Sequence, residues 1–191
     1  GNKHPDTLSS INNMASLSVS RGKLTEAEPL YTEALEARRE LLGNRHPETL
    51  ESINNMAIFL KAQGKLEEAE PLYKEALEGY RELLGNKHPD TLSSISNLAD
   101  LLSNQGKLEE AESLFVEVLE ERRELLGNKH PRTMVSINNM GILLNAQGKL
   151  GEAEPLHKEA LKARRELLGI KHPNTLTSIN NMAFLLSDQG K

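Results

Sequence analysis

Apolar residues along this chain recur at intervals of three and four, in stretches that glycine separates. In residues 43–84 the first stretch opens at Pro47 and ends before Gly64. Its apolar positions lie on one face of a helix: Leu50, Ile53, Ala57 and Leu60. This spacing is typical of an amphipathic α-helix, which proline opens well and a left-handed glycine closes. We call this predicted element helix A, about 24 Å long by its rise per residue.

A second apolar stretch follows the Gly64-Lys65 turn and ends at Gly85. Its apolar positions are Leu66, Ala69, Leu72, Tyr73, Ala76, Leu77, Tyr80, Leu83 and Leu84. Glutamates near its start favour the positive end of a helix dipole. We predict a second helix here, helix B, about 28 Å long. Pro71, in its second turn, is expected to remove one backbone hydrogen bond and bend the helix slightly.

The two stretches return every 42 positions, each pair preceded by a Gly-Asn-Lys-His-Pro type motif. The copies are residues 1–42, 43–84, 85–126, 127–168 and a half copy at 169–191. Such a period indicates units that bury their apolar faces by stacking on their neighbours. We therefore predict a single all-α array over residues 1–191, with about four and a half repeats and nine helices. Because it starts at a repeat boundary and stops within a copy, we expect a piece of something longer.

The run Gly64-Lys65-Leu66-Glu67-Glu68-Ala69, with Tyr73 and Ala76 after it, resembles the second half of the tetratricopeptide repeat. In helix A, the residues that match the family's bulky, leucine-like and small positions are Ile53, Met56 and Ala57. The resemblance implies a right-handed solenoid of antiparallel helix pairs.

The chain departs from the 34-residue family pattern in the length of helix B. Arg81 stands where the family usually has proline, and the helix continues through Leu84. This longer form, with Asn-Asn-Met-Ala in helix A and Leu-Leu-Gly before His-Pro, is similar to the repeats of kinesin light chains and of nephrocystin-type scaffold proteins.

In that family helix A lines the concave face, which implies that a ligand binds there. Two successive asparagines recur in helix A, and residues that vary between copies share their stripe. Side-chain amides both donate and accept, so a ladder of them can hold the main chain of an extended peptide. The candidate binding residues are Asn12, Asn13, Asn54, Asn55, Ile58, Lys61, Asn97, Asp100, Asn138, Asn139, Ile142, Asn145, Asn180 and Phe184.

The variable neighbours of the asparagines would set specificity. Ile58, Ile142 and Phe184 are large apolar groups on the open face, where they suggest shallow pockets for ligand side chains. The alternative is that these positions vary because they face solvent, and that the second asparagine satisfies groups of the backbone or of a neighbouring helix. A clamp for an acidic tail is disfavoured because Lys61 is the one cation on the stripe.

Composition argues against several other classes of function. A formal charge of −5 and 3% aromatic residues give no basic stripe or stacking surface for nucleic acid. Apolar runs fall short of the roughly 20 residues that cross a bilayer, so no membrane partner is expected. The sequence holds no cysteine, which fits a reducing, cytoplasmic compartment.

Recurring histidines and lysines are not expected to carry catalysis. The five His-Pro histidines lie one repeat apart and cannot meet at one metal ion, so we expect them to hydrogen-bond at the turns between repeats. Gly64-Lys65-Leu66 lacks the other residues of a phosphate loop. Arg39, Arg81, Arg123 and Arg165 are expected to complement the ends of helix B and to pair with glutamates. We predict no enzyme, metal or cofactor.

Two functions remain open. The first is a scaffold that binds a peptide or protein partner along helix A. The second is a structural array that self-associates through uncapped terminal helices, where Ile179, Met182 and Leu186 would be exposed.

Overall fold

A computed structural model describes residues 4–190, so Gly1, Asn2 and Lys3 of the first motif, and Lys191, lie outside the described residues. That range holds nine α-helices and no strand. The helices are α1 (Pro5–Ser20), α2 (Leu24–Leu42), α3 (Pro47–Ala62), α4 (Leu66–Leu84), α5 (Pro89–Asn104), α6 (Leu108–Leu126), α7 (Pro131–Ala146), α8 (Leu150–Leu168) and α9 (Pro173–Asp188). Odd-numbered helices are the 16-residue A helices, and even-numbered helices are the 19-residue B helices. The predicted fold class is confirmed.

The chain divides into two compact units, Gly1–Leu101 and Leu102–Lys191, with the division inside α5. In the first unit α1 packs on α2, α2 on α3 and α3 on α4. In the second unit α6 packs on α7, α7 on α8, α8 on α9, and the A helices α7 and α9 also touch. That all the copies form one array stays a prediction.

Histidine fixes the start of four A helices in the same way. Each side chain caps its helix, with Nδ1 accepting a hydrogen bond from the backbone N–H two residues on, as His46 does from Glu48 at 3.3 Å. His88 makes the same bond to the N–H of Asp90 at 3.2 Å before α5. The proline after each histidine occupies the first turn, where no backbone donor is needed. The predicted role of the histidines at the turns is confirmed.

Glycine closes helix A through a left-handed backbone. Gly64 has φ of 77°. Its N–H donates to the carbonyl of Lys61 at 2.9 Å, and the N–H of Lys65 donates to that of Leu60 at 3.0 Å. These two bonds form a Schellman motif, which satisfies carbonyls that the helix end would leave unpaired. The predicted glycine cap of helix A is therefore confirmed.

The predicted apolar face of helix A is the core of the unit. Leu50, Ile53, Ala57 and Leu60 are all buried. Ala69, Tyr73, Ala76 and Leu77 of helix B are buried as well.

One member of the predicted helix B stripe is placed differently. Leu83 is 47% exposed. It lies in the last turn of α4, so the predicted apolar stripe faces solvent at this position. Pro71 lies inside α4, which runs on unbroken to Leu84.

Candidate functional site

Asparagine side chains join neighbouring A helices within each unit. In the first unit Asn97 Nδ2 of α5 donates to Asn54 Oδ1 of α3 at 3.1 Å. In the second unit Asn181 Nδ2 of α9 donates to Asn138 Oδ1 of α7 at 2.8 Å. The second asparagine of one copy thus bonds to the first asparagine of the copy before it. The amide ladder predicted from the sequence is therefore partly bonded to itself.

The first asparagine differs in burial from copy to copy. Asn12 is 5% exposed and donates to the Ser52 hydroxyl at 3.1 Å, while Asn138 is 8% exposed and also accepts from Arg164 Nη1 at 3.5 Å. Asn54 is half-buried and Asn180 is exposed. Side chains at the other asparagine positions of the candidate set are half-buried, except that of Asn13, which is exposed.

Large apolar side chains project from the surface that carries these amides. Ile58, Ile142 and Phe184 occupy the same position of α3, α7 and α9 and are 45%, 46% and 69% exposed. In each unit, we call the surface formed by the candidate residues of the A helices the A-helix face. Each of these side chains follows an amide of that face by three or four residues, which places it one helical turn further along the same side.

Lys61 of α3 and Asp100 of α5 form an ion pair between A helices of the first unit. Partial burial of the ammonium group lowers the pKa of Lys61. The side chain of Lys61 is 26% exposed and that of Asp100 50%. The one cation of the predicted binding stripe is therefore paired within the chain. The pairing was missed from the sequence, where the signal is opposite charge on successive A helices.

The second unit has a cavity of about 320 Å³ between α7 and α9. The lining residues are Ile142, Asn145, Ala146, Asn181, Phe184 and Asp188. Three of these belong to the candidate set, and Asn181 forms the amide bond described above. Asp188 and Ala146 were not in the set, although each lies four residues after a member of it.

Buried arginines that recur at one position of the B helices were also not predicted from the sequence. Arg38 of α2 is 1% exposed, and its Nη1 donates to Ser52 Oγ of α3 at 2.8 Å. Arg122 and Arg164 make the same bond to Ser136 and Ser178, at 2.8 and 2.7 Å. The signal was a doubled arginine late in helix B together with serine at one fixed position of helix A.

Arginines predicted to pair with glutamate do so, as Arg39 and Arg123 show, and both of these arginines are half-buried. Arg39 Nη2 lies 2.6 Å from Glu75 Oε2, and Arg123 Nη2 lies 2.6 Å from Glu159 Oε2. Each pair joins a B helix to the next one along the chain, so these arginines act between repeats.

His157 lies in the core instead of at a surface site. Its side chain is 1% exposed and takes the position of Tyr31 and Tyr73 in earlier copies. Burial lowers the pKa of its imidazole, and a hydrogen bond with the backbone of Gly141 acts in the opposite direction. No group of three or more His, Asp or Glu side chains within residues 4–190 is arranged to hold a metal ion. Over the same range, every helix is too short or too polar to cross a bilayer.

A family model described as tetratricopeptide repeat matches residues 6–82, 49–120, 90–166 and 134–191. Among solved structures is one of a Podosopora anserina protein described as a kinesin light chain, whose TPR-like repeats are nearly identical to one another. It shares 26% identity with this chain, and the TM-score is 0.85 over 98% of this chain and 88% of that one. BtubC (BKLC) from P. vanneervenii shares 25% identity, with a TM-score of 0.83 over 97% and 74%. None of the curated proteins matches the chain. The predicted likeness to kinesin light chain repeats is confirmed.

Proposed function

Since the chain belongs to the tetratricopeptide repeat family, we propose that it binds an extended segment of a partner protein along the A-helix face, the concave face predicted from the sequence. Repeats of this family generally act as protein–protein interaction scaffolds. The coarse function is therefore protein binding, and our proposal adds where the partner segment lies and which residues contact it.

The exposed apolar row carries the proposal. Ile58, Ile142 and Phe184 stand at one position of three A helices and are all exposed, Phe184 the most. Large apolar groups that a chain could bury against a partner are the usual anchors of a protein interface. In the single array that the sequence predicts, their recurrence at one helical position would offer a partner segment one anchor after another.

The amides beside this row supply hydrogen bonds that do not depend on the partner's sequence. The bond between Asn97 and Asn54 uses one nitrogen and one oxygen. Within residues 4–190, the Asn54 nitrogen and the Asn97 oxygen have no further partner, so both can bond to a peptide main chain. Asn12 and Asn138 are buried and hold neighbouring helices instead, while the exposed Asn13 and Asn180 face the ligand.

Charge argues against a clamp for an acidic tail as the mode of binding. Such a clamp needs cations that are available to a carboxylate. Lys61 is engaged by Asp100, and this face has no other lysine or arginine among the candidate residues. Recognition in our proposal therefore rests on apolar anchors and amide hydrogen bonds.

A displayed library of unstructured peptides tests the proposal. The chain is screened beside a variant with Asn54→Ala, Asn180→Ala, Ile58→Asp and Ile142→Asp, whose helicity is checked by circular dichroism. We expect hits that share a motif and disappear in the variant while helicity is retained. Hits that bind both proteins equally, or a screen without hits, would contradict the proposal.

A further inference from the structure

We propose that the cavity between α7 and α9 receives one arginine or lysine side chain of the partner segment. The inference rests on the proposed function, because it assigns the chemistry of one position on the A-helix face. The cation would lie over the ring of Phe184 and beside the carboxylate of Asp188, with its aliphatic stem against Ile142.

The two groups that would hold the charge lie on one side of α9. Phe184 and Asp188 are four residues apart, one helical turn, and both line the cavity. The ring of Phe184 is 69% exposed, so its face is available to a cation. Asp188 is exposed and makes no ion pair or hydrogen bond through its side chain within residues 4–190.

The opposite wall suits the rest of a basic side chain. Ile142 and Ala146 of α7 present apolar surface, on which the methylene groups of arginine or lysine pack well. Asn145, between them, has an amide oxygen that is buried and has no hydrogen-bond partner within the described range, so it is not among the groups that would hold the cation. Asp188 lines the cavity and no lysine or arginine does, so the cavity has an acidic group but no cation of its own.

The first unit holds a lysine side chain at the matching place. There Lys61 reaches from α3 to α5 and pairs with Asp100. In the second unit the equivalent of Lys61 is Asn145, and Phe184 stands where Asp100 does. The space between consecutive A helices thus accommodates a basic side chain in one unit. In the other unit the chain supplies none, while a carboxylate lies one turn further on.

Blocked nine-residue glycine-serine peptides with one central residue test the assignment. The central residue is arginine, citrulline, which has the same shape without the charge, or glutamate. Titrations are followed by NMR on the side-chain amides of Asn145 and Asn181. We expect the arginine peptide to shift both, with an affinity about tenfold higher than that of the citrulline peptide, given usual cation–ring and ion-pair contributions.

Three variants sharpen the test. Asp188→Asn and Phe184→Leu each remove one proposed partner and should each weaken arginine binding severalfold. The double variant Asn145→Lys with Phe184→Asp copies the Lys61–Asp100 arrangement into the second unit. It should abolish binding, followed here on the side-chain amide of Asn181 alone, while the helicity stays unchanged, because an internal cation then takes the place of the peptide's side chain.

The outcomes separate this inference from the proposed function. Equal shifts by arginine and citrulline, stronger binding of glutamate, no shift at all, or full binding by the double variant would each overturn it. A peptide library whose hits depend on Asn54, Asn180, Ile58 and Ile142 but lack lysine and arginine would also overturn it, while the proposed function stands. Arginine binding without such library hits would support this cavity assignment and contradict the proposal that a partner segment binds along the A-helix face.

Discussion

The imidazole of His157 in α8 fills the space that a β-carbon on Gly141 in α7 would occupy, with its nearest atom 2.8 Å from that position. Other copies pair an alanine with a larger ring at these two positions: Ala15 with Tyr31, Ala57 with Tyr73, and Ala99 with Phe115. The fourth copy has replaced both members together. Glycine in helix A and histidine in helix B therefore act as one packing unit.

The first prediction concerns this packing unit. Gly141→Ala should destabilise the protein by about 1–3 kcal/mol because the new methyl group meets a buried ring. With His157→Phe in the same chain, the pair matches Ala99 and Phe115, and the loss should be largely recovered. Urea denaturation of the two single variants and the double variant measures the coupling. Purely additive effects would contradict the packing account.

The second prediction is that the protein loses stability at acidic pH because of His157. Burial lowers the pKa of His157 in the folded protein below the ordinary 6.5. The unfolded chain therefore binds the proton more readily, so stability is lost as the pH falls below about 6.5. Thermal melts of the wild type and of His157→Phe between pH 5 and 8 check this. The histidines that cap the A helices are common to both proteins, so the difference isolates His157. If the melting temperatures of the two proteins changed with pH in parallel, the prediction would be wrong.

The third prediction uses the copy that lacks the buried arginine. Tyr80 replaces that arginine, and the hydroxyl of Ser94 is buried without a partner within residues 4–190. Burial, with Asp90 and Glu51 nearby, raises the pKa of Tyr80 to about 12. Tyr80→Arg would place a cation beside both carboxylates and a donor near Ser94. We expect a gain of about 1 kcal/mol in urea denaturation.

The reverse exchange is the matched control for that prediction. Arg38→Tyr removes one of the two donors to Ser52 Oγ and the counter-charge of Glu48 and Glu51, so it should cost about 1–3 kcal/mol. If the two exchanges changed stability in the same direction, the pairing of arginine with serine would not explain this position.

Helix boundaries and the packed face could be predicted because local chemistry determines them. Proline after histidine marks where an A helix begins. Glycine with a left-handed backbone marks where a helix ends. The period of 42 then extends one copy's interpretation to the others. Leu83 shows that helical spacing alone does not determine burial. It fits the apolar stripe of helix B, yet it lies in a last turn that faces solvent.

Contacts between copies could not be predicted in this way. Lys61 and Asp100 are 39 positions apart, and the sequence pattern alone does not show which side chains of successive helices meet. The same holds for Arg38 and Ser52, whose hydrogen bond depends on how helix B enters between two A helices. The sequence predicts a shared stripe of side-chain amides, but the bonds of these amides to one another depend on that packing.

The fourth prediction separates the two asparagines of α9. Asn181 donates to Asn138 at 2.8 Å, whereas Asn180 is exposed. Asn181→Ala should therefore lower the free energy of unfolding by about 1 kcal/mol, and Asn180→Ala should change it by less than about 0.5 kcal/mol. Thermal and urea melts of the two variants give the comparison. A larger cost at Asn180 would reverse the assignment of structural and ligand-facing amides.

The central claim is that a partner segment binds the A-helix face, and four residues of nearly equal exposure test it directly. Ile58 and Ile142 on that face are 45% and 46% exposed, while Leu83 and Leu125 on the B helices are each 47% exposed. The measurement is the affinity of one library-selected peptide for Ile58→Asp with Ile142→Asp and for Leu83→Asp with Leu125→Asp. We predict a loss of tenfold or more for the first pair, from roughly 1.4 kcal/mol or more of lost apolar burial, and less than about threefold for the second. Equal losses, or a larger loss for the leucine pair, would contradict binding at the A-helix face.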